Sequence, residues 1–339
     1  MPSVPRPRIR RTSRARLAAA TPSRTPLRDE PNIAEVEYGG LRWINIERPG
    51  PLERAWLEEH FDFHPLDYED VASRNQRPKI DEYPDYLFIV LHFPVFDKAV
   101  GRLNAAELDM FVGPDYLITI PNEPIPPVSY LFERCTSNSD FRESLLSKGP
   151  GYLLYRIVDD AFDYCFPMLR KMGNKLERIE EDIFEGRSRE IVRDISNAKQ
   201  EIINFRKIVR PQRAVLNDLE RTKQRFISGD LEIYFDDIVD ASERIWDVLE
   251  NYKEVIEALE STNESVISHR VNDILLVLTA ISVVVLPLTL VASIFGMNVG
   301  LPGGGDPAAG PSTSFWIIIG SMVVMLLSMF GYFRYRRWL

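Results

Sequence analysis

Cysteine is almost missing from this chain: Cys135 and Cys165 are the only two in 339 residues. Two cysteines cannot make a disulfide framework or the paired-cysteine spacing of a structural zinc site. They are expected to be small buried side chains. Histidine is scarce too, with four residues. No HExxH, no phosphate-loop Gly-Lys-Ser/Thr and no Ser-His-Asp set is present, so nothing points to an enzyme. His60 and His64 stand among Asp62, Asp67, Glu69 and Asp70. A spacing of four could place both imidazoles on one helix face for a metal. Pro65 interrupts that geometry, and a structural role is the better reading.

The second scarcity is charge, and it is local. Between Ile274 and Phe333 the only charged residue is Asp306. Two apolar runs fill that block, 274–295 (ILLVLTAISVVVLPLTLVASIF) and 315–333 (FWIIIGSMVVMLLSMFGYF). A helix of about 20 apolar residues crosses the ~30 Å hydrocarbon core of a bilayer. A soluble helix of that length carries a polar face, and these do not. The loop between them has no Lys or Arg, while Arg334, Arg336 and Arg337 follow the second run. The positive-inside tendency then puts both termini in the cytoplasm of a multi-pass protein of the cell inner or plasma membrane.

Acid is absent from residues 1–28, which hold eight Arg among Pro, Ser and Ala. This segment, 1–32 with its flank, reads as a disordered basic tail able to touch anionic membrane lipid. The formal net charge is −9. With +8 in that tail, +3 at the C-terminal end and −1 in the loop, residues 29–273 carry −19. So acidic a domain suits cations and not nucleic acid.

What is present divides in order. Residues 33–150 read as a small α/β domain, with strands at 41–47 and 85–96, a hairpin over 108–121 turning at Gly113-Pro114-Asp115, and a short helix at 51–61. Residues 151–230 read as helical: one long helix bent near Pro167, a second from 188 to about 209 that stops before Pro211, and a short third helix. From 231 to 295 the pattern predicts one continuous helix, its membrane part being 274–295, roughly 100 Å long. Ile238, Ala241, Ile245, Val248, Tyr252, Val255, Leu259, Thr262, Val266 and His269 alternate steps of three and four, a coiled-coil type of seam. Within the apolar part, Asn272, Leu275, Leu278, Thr279, Ser282, Leu286, Thr289 and Ser293 share one face. Hydroxyls there can line a pore or simply bond their own backbone. The leucines could form dewetting rings. Two helices enclose nothing, so conduction needs a homo-oligomer around an axis.

The stretch LPLTLVASIFGMN (286–298), followed by a short loop, a second apolar helix and a basic RRWL end, resembles the CorA family of divalent-cation channels. FHPLDYEDV (63–71) and RPKIDEYPDYLFIVL (77–91) resemble motifs of that family's cytoplasmic domain. The resemblance covers about residues 33–339. It implies an α+β cytoplasmic domain, a long stalk helix and two C-terminal transmembrane helices in a funnel-shaped homopentamer. Gly296, Met297 and Asn298 would be the family's selectivity motif, and Asn272 its pore-facing Asn near the inner gate. Mg²⁺ dehydrates reluctantly, so a ring of neutral Asn298 carbonyls could accept hydrogen bonds from its retained waters. Asn298 could equally cap the helix. The resemblance also implies closure by cytoplasmic Mg²⁺. Asp240 matches an acid of the family's stalk, and Glu260 stands beside Ser261 where another is usual. Asp236, Asp237 and Asp240 could also be only a solvated face.

The expected cargo is Mg²⁺, with Co²⁺ or Ni²⁺ as surrogates, and no resident cofactor. The Gly/Pro-rich loop 299–314 resembles the zinc-transporting ZntB branch as well, which keeps Zn²⁺ open. Zinc favours His and Cys ligands, and residues 274–339 contain neither. A non-conducting sensor or scaffold anchored by two helices is the alternative from another class.

Overall fold

Leu87, Phe88, Ile89, Val90 and Leu91 are apolar without alternation, and each is fully buried. A strand whose every side chain is buried must be covered on both faces, and this one lies inside a sandwich of helices. The computed structural model describes residues 30–73, 76–97, 102–185, 188–221, 227, 229–296 and 313–336. Six strands form one sheet: β1 (Ala34–Tyr38), β2 (Leu41–Asn45), β3 (Lys79–Glu82), β4 (Leu87–Asp97), β5 (Arg102–Val112) and β6 (Tyr116–Pro121). Their spatial order is β1-β2-β6-β5-β4-β3. The β2–β6 pair is parallel and the other four pairs are antiparallel.

Two helices cover one face: α1 (Pro51–His60) and α2 (Pro65–Ser73). Leu57, Phe63, Tyr68 and Val71 pack there against Ile44, Phe88, Val90, Phe111 and Ile118. Pro51 opens α1, where a missing N–H costs nothing. Glu53 closes its first turn by accepting from the N–H groups of Gly50 and Asn32, at 2.8 and 2.9 Å. The other face meets α3 (Pro126–Ser137), α4 (Ser139–Leu146), α5 (Pro150–Asp163), α6 (Cys165–Glu185) and α7 (Ser188–Arg221). One core continues from Trp43, Leu87, Ile89, Leu91 and Leu117 of the sheet into these helices and on to Leu259. Both cysteines are buried and free, as expected.

Several boundaries differ from the sequence reading, each for a visible reason. The expected bend near Pro167 falls at Tyr164, between α5 and α6. Pro167 cannot donate to the Asp163 carbonyl four residues back, so the ladder is cut one turn before the proline. Pro167 itself sits in the first turn of α6, where its lack of an N–H is harmless. The helix expected to stop before Pro211 instead runs through it, for 34 residues. Pro211, Lys207 and Arg210 are all exposed, so water can serve the orphaned Lys207 carbonyl. On the opposite side Gln212, 1% exposed, ties α7 to the sheet: its Oε1 accepts from His92 N at 2.9 Å and its Nε2 donates to His92 O.

After a short 3₁₀ turn, Gly229–Leu231, α8 (Glu232–Phe295) runs for 64 residues, about 96 Å at ~1.5 Å per residue. It starts one residue later than expected. α9 (Thr313–Tyr335) returns alongside it. Both α8 and the segment Phe315–Tyr335 are long and apolar enough to cross a membrane.

The predicted seam is half right. Ile238, Ile245 and Leu259 are buried, but the deepest partners are Phe235, Ser242, Leu249, Ile256 and Asn263 rather than Ala241, Val248, Val255 and Thr262, which are half-buried. α8 meets α5, α6 and α7 together. Its apolar stripe is therefore wider than a two-helix seam, and its centre is turned by one residue. Interhelical ion pairs fix the antiparallel register of α7 on α8: Arg213–Glu243 at 2.8 Å, Arg206–Glu250 at 2.6 Å and Lys199–Glu260 at 2.6 Å.

Candidate functional site

In the apolar half of α8, Ala280 is buried and Val284, Pro287, Leu288 and Val291 are half-buried. At ~100° per residue these five fall within one arc of about 100°. α9 lies against α8, and its own shielded residues are Ile318, Met322, Met329 and Phe333. The arc is thus the face that holds the hairpin together. Leu275, Leu278, Thr279, Ser282, Leu286, Thr289 and Ser293 are all exposed and fill a second arc, centred about 180° away. Asn272, also exposed, lies at its edge. The small and polar face of α8 therefore turns away from its hairpin partner. Two hydroxyls on it donate to their own backbone, Ser282 to Leu278 O and Thr289 to Val285 O, each at 2.9 Å. Both keep lone pairs that can accept from water.

Gly296 caps α8, its N–H donating to Ala292 O at 2.9 Å. Its φ of −83° is open to any residue. The constraint is space, because a Cβ there would sit 3.1 Å from the Ala292 carbonyl oxygen. Met297, Asn298 and the loop to residue 312 lie outside the described residues, as do the basic tail 1–29 and residues 337–339.

Of the stalk acids, Asp236, Asp237 and Asp240 are exposed. Glu260 already holds Lys199, and a metal there would have to displace that ammonium. The two histidines have separate structural partners. His60 stacks on Trp56, with Nδ1 2.9 Å from the Trp56 carbonyl oxygen. His64 stacks on Tyr83, and its Nδ1 accepts from Leu66 N at 3.3 Å.

Near them lies a cluster that the sequence reading passed over. Asp67 and Asp70 share a face of α2, and Lys79 and Asp81 share a face of β3 (the helical three-residue step and the strand two-residue step). One carboxylate oxygen from each of Asp67, Asp70 and Asp81 lies within 4.8 Å of the others. The Lys79 ammonium sits on two of them, 2.6 Å from Asp70 Oδ2 and 2.5 Å from Asp81 Oδ2. Asp67, 1% exposed, accepts from Tyr83 Oη at 3.1 Å and Tyr86 Oη at 2.7 Å. Burial pushes the Asp67 carboxyl above its ordinary range, against the two tyrosine hydrogen bonds. Burial pulls Lys79 down, but Asp70 and Asp81 outweigh it and hold the ammonium charged. Acids at 67 and 70 flanking an alternating Lys-x-Asp strand were the available signal.

Comparison with known proteins matches this architecture. The family model described as CorA-like Mg²⁺ transporter protein matches residues 38–336. The cobalt/magnesium transport protein CorA of Thermotoga maritima is 28% identical over 300 residues, covering 88% of this chain and 83% of that protein. That of Methanocaldococcus jannaschii is 22% identical over 312 residues, covering 91% and 96%. The complete structure of the M. jannaschii CorA magnesium transporter superposes with a TM-score of 0.77 at 21% identity, covering 91% of this chain and 95% of that one. The α+β domain, long helix and apolar C-terminal hairpin are thus a shared fold. With nearly its whole length matched, the chain belongs to the CorA-like Mg²⁺ transporter family, a family of divalent-cation transporters and not of enzymes.

Proposed function

We propose that this protein is a channel of the CorA type that conducts Mg²⁺, with Co²⁺ or Ni²⁺ as surrogates. It acts as a homopentamer in the inner or plasma membrane with both termini in the cytoplasm. The observation that carries this reading is the placement of the polar stripe of α8. It is exposed and faces away from α9, so copies of α8 around an axis can bring it inward while α9 faces lipid. A mere anchor needs no such face. Leu275 and Leu286 then form apolar constrictions, and Thr279, Ser282, Thr289 and Ser293 offer oxygen to a hydrated ion. Asn298, five residues beyond Ser293 in sequence, forms the outer ring that accepts from the waters of Mg²⁺. Cytoplasmic Mg²⁺ closes the channel through stalk acids, with Asp240 the first choice.

The test is flux in proteoliposomes. The purified protein should pass Mg²⁺, and Asn298→Ala should abolish passage while the oligomer survives. Absence of flux from the unaltered protein would leave an anchored sensor or scaffold. Unchanged flux in Asn298→Ala would remove the selectivity ring. Competition among Mg²⁺, Zn²⁺ and Co²⁺, with and without a pH gradient, identifies the cargo and any proton coupling.

A further inference from the structure

Behind the acid cluster under α2 stands one more buried carboxyl. Asp109 on β5 is 3% exposed, and its Oδ1 has no hydrogen-bond partner among the described residues. Strand register fixes where this group points. Lys79 pairs with Val90, and Val90 pairs with Asp109, so the Lys79 and Asp109 side chains leave the same face of the sheet. That is the face that α2 covers. Burial, and then Glu107 and Asp70, push the Asp109 carboxyl well above its ordinary range, against the pull of Lys79. Asp109 is not one of the three acids whose oxygens lie within 4.8 Å of one another, but it shares their sheet face and feels Asp70. A buried carboxyl oxygen with nothing to accept is costly, and such groups usually mark a missing donor.

We propose that Asp67, Asp70 and Asp81 form a divalent-cation site within a single subunit, closed in this structure by the Lys79 ammonium, and that Asp109 accepts from a water of the bound ion. The chemistry fits a hard cation. Mg²⁺ takes one to a few carboxylates and keeps several waters, and those waters supply the donor that Asp109 lacks. Lys79 can leave, because its side chain is 30% exposed and lies over the Phe88 ring at 5.0 Å, with solvent beyond. Tyr83 and Tyr86 hold Asp67 in place whichever cation is present. The proposal does not depend on the transport reading. The site is complete in one chain, and its test reads binding and not flux.

The experiment counts Mn²⁺ bound to the full-length protein in detergent by electron paramagnetic resonance. Removing the tethered competitor with Lys79→Met should tighten Mn²⁺ binding about tenfold at one site per chain. Adding Asp81→Asn should abolish that gain, and adding Asp109→Leu, which leaves no acceptor there, should weaken it several-fold while leaving the stoichiometry unchanged. Lys79→Gln, which keeps a hydrogen-bond donor to Asp70, gives the same reading if the methionine variant does not fold. Identical Mn²⁺ isotherms for the parent, Lys79→Met and Lys79→Gln would overturn the proposal and leave an ion-pair network. A gain that persists in Lys79→Met/Asp81→Asn would also overturn it, by placing the site elsewhere.

Discussion

Asp159 of α5 is held in a state that costs stability at neutral pH, and removing its charge should show this. Burial, and then the neighbouring Asp163, push its carboxyl from 3.8 up to about 6. Arg156, 3.0 Å away, offsets only part of the shift. In the unfolded chain the same group releases its proton near pH 4. Between about pH 4 and 6 the folded state therefore binds a proton that the unfolded state has lost. Stability falls as pH rises through that window, and the full cost is present above it. A shift of about two units corresponds to ~3 kcal/mol at 1.36 kcal/mol per unit. Asp159→Asn removes the charge, while Arg156 keeps its second partner Asp160. Some packing mismatch offsets the gain, so the expected benefit at pH 7 is about 2 kcal/mol, or several degrees in Tm for a domain of this size. The assay is thermal unfolding of parent and variant in EDTA across pH 4.5–7.5. The difference between them should be near zero at the acid end and grow towards neutrality. A difference that stays constant with pH, or a variant less stable at pH 7, would refute the reasoning.

Other outcomes follow from packing. Leu249, fully buried where α8 meets its neighbours, should cost about 2–5 kcal/mol as Leu249→Ala, read as a lowered unfolding midpoint. At Gly173 of α6 a Cβ would lie 2.6 Å from Tyr252 Oη. Gly173→Leu should therefore cost about 1–3 kcal/mol despite the better helix propensity of Leu, read as a lowered unfolding midpoint that Gly173→Leu/Tyr252→Phe partly restores.

How much of this was legible in the sequence depended on how local the signal was. The membrane spans were plain because the 60 positions from Ile274 to Phe333 hold one charge, and lipid tolerates little else. The polar stripe was plain because one helix carries its own periodicity. The stalk seam was only half legible: a single helix shows its period, but not how many partners share its apolar face. Ser242 and Asn263 were missed as seam positions because polar residues do not announce burial. Strands β1 and β3 were missed because AEVEY and KIDE are edge strands of only five and four residues, too short for a pattern to stand out. The acid cluster was only partly legible, through the Asp67/Asp70 step of three and the Lys79-x-Asp81 alternation. Asp67, Lys79 and Asp109 are brought together only by the β3–β4–β5 register and the seating of α2, and no spacing along the chain records that.

The unbroken course of α8 makes it a shaft. Its upper end is gripped through Phe235, Ile238 and Ile245, and no loop or glycine interrupts it before Gly296. A twist of about 20° applied at the grip would pass along an uninterrupted hydrogen-bond ladder as far as Pro287, whose missing N–H leaves the Val283 carbonyl without its helical partner. Side-chain tips there, on the order of 5 Å from the axis of a helix ~10 Å across, would sweep nearly 2 Å. In the channel proposed above, such a turn would cover about half of the ~40° that separates Leu275 from Thr279 on the stripe. For that proposed channel, gating by rotation would need no hinge loop between stalk and membrane.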